Sequence, residues 1–448
     1  MNQIHPKNQS FCKILFFLIL IFSNFNTKII MIDDNLKNYM FQFIKNVCDE
    51  IGPRESGTEQ EILAGDMIEK EMQTFCDTTY QEEYNSSPHA FLGGIRYGAL
   101  LAIISIGLYW FSLLIDLGIL PSSTLLSFLF ILIAMILILI TISYFITEVM
   151  KYHEFFDFLF PKRNSKNVIG IINPKSSVKN TIIFSAHHDS AFEFNTFYYF
   201  KRFGQFIINF GYFGVVVLFV IIVIKLIFLL LSIDFVILFV GFGIFFFIFV
   251  PIALAYVFFH SYHPVLGAFD NLSGVAIVLG IGKLLSDNKE TDMFPSNTQV
   301  HLISFAGEES GLRGSKRYIE THFNDLRTSN TLVVNMDGIA KKEILGIFTR
   351  ESGIGANHDP NIYEPLYNLA KEINPSVDLA KLPFGATDAA AFSKKGISAT
   401  TIGGLNLSET LPPYYHTRYD TPEVIEKDAL SQVVDICIKY LNYVDKSS

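Results

Sequence analysis

Two adjacent glutamates, Glu308 and Glu309, end an apolar strand-like run in VHLISFAGEESGLRGS, residues 300–315. Ionised carboxylates at the end of a buried strand are costly unless a cation compensates them. Gly307 and Gly311 permit the sharp turns that bring neighbouring side chains to one site, one as a metal ligand and the other as a base facing a water held by the metal. Taken alone, the stretch also fits an exposed strand-to-helix loop whose acids suit a helix N-terminal dipole.

The same placement of polar groups recurs. TIIFSA (181–186) ends in His187-His188-Asp189, TLVVNM (331–336) ends in Asp337, and SATTI (398–402) is followed by Gly403-Gly404 and then His416. Asp270, in GAFDNLSG, stands just before an apolar helix. Singly, His187 fits a hydrogen-bonded core histidine, Asp270 a helix N-cap, Asp337 a turn residue beside Gly338, and His416 a loop residue. Together they offer imidazole and carboxylate donors at strand ends, the mixture suited to zinc. Two metals sharing one carboxylate, each keeping a position for a common water, would use them all.

Such a set needs a scaffold that presents strand ends side by side. VIGII (168–172) and ILGIFT (344–349) join the strands above, and helical spacing fills 272–285, 314–322, 363–373 and 422–443. Two amphipathic helices, separated by Gly52-Pro53, occupy residues 33–76. This alternation predicts an α/β fold with a mixed, mainly parallel sheet and helices on both faces. Sites in such sheets gather beyond the C-terminal strand ends.

At 448 residues with 50% hydrophobic and only 17% charged residues, and a mean hydropathy of +0.36, the chain is too apolar for an ordinary soluble enzyme. The excess lies in blocks 96–120 and 122–147, then 206–231 and 233–258, each long enough to cross a hydrocarbon core of roughly 30 Å as helix. They read as four transmembrane helices in two hairpins. ILFFLILIF near the N-terminus is too short to span. It has no small-residue cleavage site and Met31 follows it, so residues 1–32 read as a signal-like segment or an over-extended start. A net charge of -9 argues against a nucleic-acid partner. Cys12, Cys48, Cys76 and Cys437 have no CxxC spacing and read as structural thiols.

The ordered motifs AHHDS, GAFDNLSG, FAGEESGLRGS, NMDG and YYHTRYDTPE resemble the co-catalytic di-zinc exopeptidases of metallopeptidase family twenty-eight, the bacterial leucyl aminopeptidase and glutamate carboxypeptidase type. The resemblance implies a zinc-exopeptidase-like fold holding two Zn²⁺ per chain. Asp270 would bridge them, with His187 and Asp337 on one zinc and Glu309 and His416 on the other. Glu308 becomes the general base and Asp189 the carboxylate orienting His187. GATDAAAF makes Asp388 a substrate-side candidate, although Ala389 stands where many members carry a polar residue. Both hairpins are extra to the common pattern. His188, His260, His263, His301 and His358 match no ligand position.

The chain then divides into the N-terminal segment 1–32, a helical part of the catalytic domain 33–94, a first hairpin 95–147, catalytic sequence 148–204, a second hairpin 205–259, and the remaining catalytic domain 260–448. The expected activity is that of a membrane-bound zinc metalloexopeptidase acting on peptide or protein termini, an aminopeptidase in the first instance. A carboxypeptidase, a glutaminyl-cyclase-like acyltransferase with a single zinc, and a non-catalytic membrane receptor or scaffold are the alternatives. Arg96, Lys151, Lys162, Arg163, Lys201 and Arg202 flank the hairpins on the catalytic side, while Asp116 and Asp234 mark the tips. The positive-inside rule then puts the domain in the cytoplasm. Lys225 counts against this, and a cleaved signal would reverse it. The second hairpin leaves just after Asp189 and returns just before Asp270, so the active site is expected close to the bilayer.

Overall fold

The computed structural model describes residues 33–121, 123–233, 235–404 and 411–447. The signal-like or over-extended segment 1–32 and the tip residue Asp234 lie outside them. Helix α1 (Asp34–Glu50) forms because Leu36, Met40, Phe43, Ile44 and Val47 recur at helical spacing and bury one face. Gly52, with φ of 80°, turns the chain out of it. Helix α2 (Glu59–Met72) starts where the Thr58 side chain accepts the Glu61 N–H.

The central sheet has the order β1-β2-β6-β3-β7-β11-β8-β10, with the short β9 paired to β8. Its strands are β1 (Thr78–Ser86), β2 (Arg163–Ile172), β3 (Asn180–His187), β6 (Thr298–Phe305), β7 (Thr331–Asp337), β8 (Gly346–Glu351), β9 (Ala356–Asn357), β10 (Asp378–Leu382) and β11 (Ser398–Gly403). The centre, β6-β3-β7-β11, is parallel, and β1, β2 and β8 add antiparallel pairings. The parallel register matters most, because it brings the ends of β3, β6 and β7 to one edge. His187 stands opposite Phe305, two residues before Gly307.

Helices cover both faces. Ile183, Ile303, Val333 and Ala399 share a core with α9 (Arg313–Thr328) and α11 (Asp388–Lys394) through Tyr318, Ile319 and Phe392. On the other face α8 (Ser273–Asp287) lies against Leu302 and Ala186 so closely that Gly282 and Gly274 have no room for a Cβ. Helices α1 and α12 (Lys427–Lys446) cover α8, and α10 (Pro360–Ile373) packs beside α12. The expected helix 422–443 thus begins later, after a 3₁₀ turn at Pro422–Val424.

The two hairpins pair α3 (Ile95–Asp116) with α4 (Thr124–Tyr144), and α6 (Arg202–Leu230) with α7 (Val236–Val257). A short helix α5 (Asn195–Phe200) leads into α6. Contacts α3·α4, α3·α7, α4·α6 and α6·α7 make one bundle around Ile106, Leu113, Ile131, Ile138, Leu218, Phe246 and Phe249. The outward faces are apolar too, with Phe111, Ile133, Val220, Ile237 and Phe247 exposed, a pattern that water does not support and lipid does. Inside the bundle, Tyr109 Oη donates to the Phe239 carbonyl at 2.6 Å and Lys225 pairs with Asp116. A fifth stretch, Ala268–Asp287, is also long and apolar enough to span, but 89% of its most apolar window is buried. It contains α8 and is a core helix.

Candidate active site

The turn after β6 is held from several sides. Gly307 takes φ of +68°, and a Cβ there would meet the Tyr84 hydroxyl at 2.5 Å, so the turn requires glycine. Tyr84 Oη donates to the Ala306 carbonyl at 2.7 Å, and Gly307 N–H donates to Glu61 at 3.1 Å. The next two amides, of Glu308 and Glu309, donate to Asp189 at 3.1 and 3.0 Å. Asp189 also accepts the Ser56 hydroxyl at 2.7 Å and lies 3.3 Å from His187 Nδ1. One carboxylate therefore ties the β3 end to the β6 end and orients the imidazole.

Asp270 arrives from the turn before α8, which opens at Gly267 with φ of 61°. The amides of Phe269 and Asp270 donate to the two oxygens of Asp420 at 2.6 and 3.1 Å. The Asp270 carboxylate then has a histidine on each oxygen, His187 Nε2 at 3.2 Å and His416 Nε2 at 3.1 Å. Glu308 Oε2 is 3.9 Å from His187 Nε2, and Glu309 Oε1 is 3.4 Å from His416 Nε2. Asp337 closes the group from the end of β7. Ligand atoms of His187, Asp270 and Glu309 lie within 4.8 Å of one another, as do those of His187, Glu308 and Asp337. Proximity alone thus puts both glutamates with His187 and does not divide them into ligand and base.

The site is buried and rich in acid. Burial, reinforced by neighbouring carboxylates against the pull of His187, raises Glu308, Glu309 and Asp337 well above the usual carboxylate range. Burial also opposes the charge on His187, but Glu308, Asp189 and Asp270 outweigh it and raise the imidazole. Asp270 is held low despite burial by hydrogen bonds from His187 and His416. These carboxylates can all remain ionised in a dry site only beside added positive charge. Among the described residues, Glu309 Oε1 and His416 Nδ1 have no hydrogen-bond partner. Imidazole and carboxylate donors, with a buried carboxylate oxygen left without a hydrogen bond, fit zinc.

Asp388 is fully buried at the start of α11, and burial pushes it up to about 7 against the pull of His187 and Ser315. His188 turns away, its Nδ1 2.9 Å from Ser304 Oγ, and burial lowers it to about 3. His301 pairs with Gln299 and His358 with Glu351. A cleft lined by Glu55, Ser56, His89, Leu92, Phe192 and Glu309 runs beside the cluster.

Several supporting residues carried too little signal to be singled out. Asp420 lies inside a quoted motif with no role of its own. Arg54, in the Gly52-Pro53 break, is fully buried and donates to the carbonyls of His188, Leu266 and Gly267. Arg313 donates to the Ser310 carbonyl at 3.0 Å and pairs with Asp157 at 2.8 Å and Glu154 at 3.0 Å. Their partners come from distant segments, which spacing along the chain does not reveal.

Comparison with known proteins agrees with this fold. Residues 253–441 match the profile of peptidase family M28. Aminopeptidase YwaD of Bacillus subtilis (strain 168) is 28% identical over 174 residues, 38% of this chain and 36% of that protein. The chain thus spans about a third of its curated relative's length. A zinc aminopeptidase from Bacillus subtilis superposes with a TM-score of 0.52 at 14% identity, covering 91% of this chain and 95% of the other. A leucine aminopeptidase precursor and a glutaminyl cyclase, both from Bacteroides thetaiotaomicron, each give 0.51 at 14% identity, covering 91% of this chain and 96% and 97% of theirs. At that identity the superpositions show the fold, which peptidases and cyclases share. Motifs, sheet and family profile agree, and residues 253–441 resemble a peptidase family M28 domain.

Proposed function

We propose that the chain is a membrane-bound zinc metallopeptidase that hydrolyses terminal peptide bonds, acting as an aminopeptidase. The observation that carries this reading is Asp270 with a histidine on each oxygen, the placement expected of a carboxylate shared between two metals. His187 and Asp337 would hold one zinc, and Glu309 and His416 the other. Bound zinc supplies Lewis acidity to the scissile carbonyl and to water. Glu308 takes a proton from the attacking water as its oxygen bonds to the carbonyl carbon. It returns that proton to the amine nitrogen as the C–N bond breaks. Asp189, on the Nδ1 side of His187, keeps Nε2 facing the site, and Asp388 is the candidate for contact with substrate.

The name of the curated relative favours the amino end over the carboxyl end. A glutaminyl-cyclase-like reading has the same fold in its favour, but a single zinc would leave His187 and Asp337 without a task. The test uses full-length protein in detergent, with metal content and product measured together. Two zinc ions per chain and cleavage of peptides with a free N-terminus, but not of N-acetylated ones, are expected. One zinc with ammonia released from N-terminal glutaminyl peptides would establish the cyclase. Cleavage of N-acetylated peptides from the other end would establish a carboxypeptidase.

Placing the hairpins in a bilayer rests on their apolar outward faces. The base of the second hairpin supports a site near that bilayer, since Phe192 lines the cleft beside Glu309 and pairs across to Pro264. Substrates presented at the membrane, such as amphipathic peptides or released ends of membrane proteins, fit this placement.

A further inference from the structure

The second hairpin is rooted in a two-stranded ladder, β4 (Phe192–Phe194) with β5 (His260–Pro264), antiparallel with Phe194 opposite His260. This ladder grips the segment that carries His416. The Phe194 amide donates to the His416 carbonyl at 2.8 Å, and the two rings meet edge to face at 4.4 Å. Glu193, only 3% exposed, accepts from Arg418 through its backbone amide at 3.0 Å, Nε at 2.8 Å and Nη2 at 2.7 Å. The Arg418 guanidinium also lies 4.1 Å over the ring of Tyr198 in α5. His416 needs such support, because its φ of +48° is one that a residue with a Cβ adopts only when its surroundings impose it.

From this geometry we infer that Glu193 and Arg418 are positioning residues for His416, so that the base of the second hairpin is part of the metal centre and not only an anchor. The inference rests on the reading of His416 as a zinc ligand. A forked guanidinium fixes both ends of the Glu193 carboxylate. It therefore sets the path of residues 416–418 against β4 and the direction in which the imidazole faces Asp270.

The test is metal binding to full-length protein in detergent, stripped and titrated with zinc in chelator buffers, with Co²⁺ absorption as a probe of ligand geometry. Glu193→Gln and Arg418→Gln should each weaken one of the two zinc ions about 10–100-fold, the range for residues that orient a ligand, and leave the other within about twofold. Arg418→Lys should recover part of the loss, since it keeps the charge and loses the fork. The Co²⁺ spectrum should shift in the same order. His416→Ala separates the two ideas. If it removes one zinc while Glu193→Gln and Arg418→Gln bind both as the parent does, the inference alone fails. If His416→Ala changes neither zinc, the ligand reading fails and takes the inference with it. Equal weakening of both zinc ions in Glu193→Gln and Arg418→Gln would overturn it too, as the mark of a general fault in folding.

Discussion

Glu308 and Glu309 share a turn, an acceptor and a degree of burial, yet the proposed chemistry gives them different work. Both amides are pinned by Asp189, so replacing either side chain by its amide leaves the backbone in place. Glu308→Gln should keep both zinc ions and lower the rate by about 10²–10⁴-fold, the usual worth of a positioned acid–base group. Glu309→Gln should weaken one zinc by more than the roughly 10–100-fold that an outer partner costs. Zinc titration and initial rates on the same preparations check both, and a near-normal rate in Glu308→Gln would end its assignment as base.

Elements reach the site through buried charge. Arg313 lies five residues beyond Glu308 and is 1% exposed. It joins the glutamate turn to Glu154 and Asp157, in the segment that follows the first hairpin. Within the bundle, Lys225 pairs with Asp116, which also accepts the Ser127 hydroxyl at 2.9 Å, so one pair links the two hairpins. Lys225→Met should destabilise the protein by about 3 kcal/mol, the low end for breaking a buried pair, because Asp116 keeps 22% of its side-chain surface. The double variant with Asp116→Asn should regain most of that, since no lone charge is left. Thermal unfolding in detergent, run as a double-mutant cycle, measures the coupling.

For the molecule as a whole, the charge pattern bears on sidedness, with Lys225 paired to Asp116 at the tip end of the bundle. Lys225 still counts against a cytoplasmic domain, because the rule weighs lysine and arginine and not net charge, and the basic residues at the catalytic end outnumber it. Protease added outside sealed cells should leave the catalytic domain intact, and digestion there would place it on the opposite side. Replacing 206–258 by a short flexible linker, with the first hairpin and the β4–β5 ladder kept, tests membrane presentation. Hydrolysis of bilayer-bound peptides should fall while that of soluble peptides persists, and an equal effect on both would reject presentation.

The α/β alternation, the hairpins and the strand-end residues were legible because each is a local property of the chain. β3 is buried along its whole length and β6 over its last four residues, so each is largely apolar there and the charged residues that follow stand out. Family motifs then ordered those residues. The edge strands escaped: β1 reads TTYQEEYNS and β10 DLAKL, with the polar faces that solvent permits at a sheet margin. The supporting groups escaped for another reason. Asp420 meets Asp270 across 150 residues, Arg54 meets His188 across 134, and Glu193 meets Arg418 across 225. No local pattern encodes such pairings. The sequence by itself determined which side chains could bind metal, because that follows from donor chemistry at strand ends. Only the tertiary structure decided what holds them, because buried carboxylates and guanidinium groups take whichever partners the parallel sheet and the hairpin roots bring within hydrogen-bond reach.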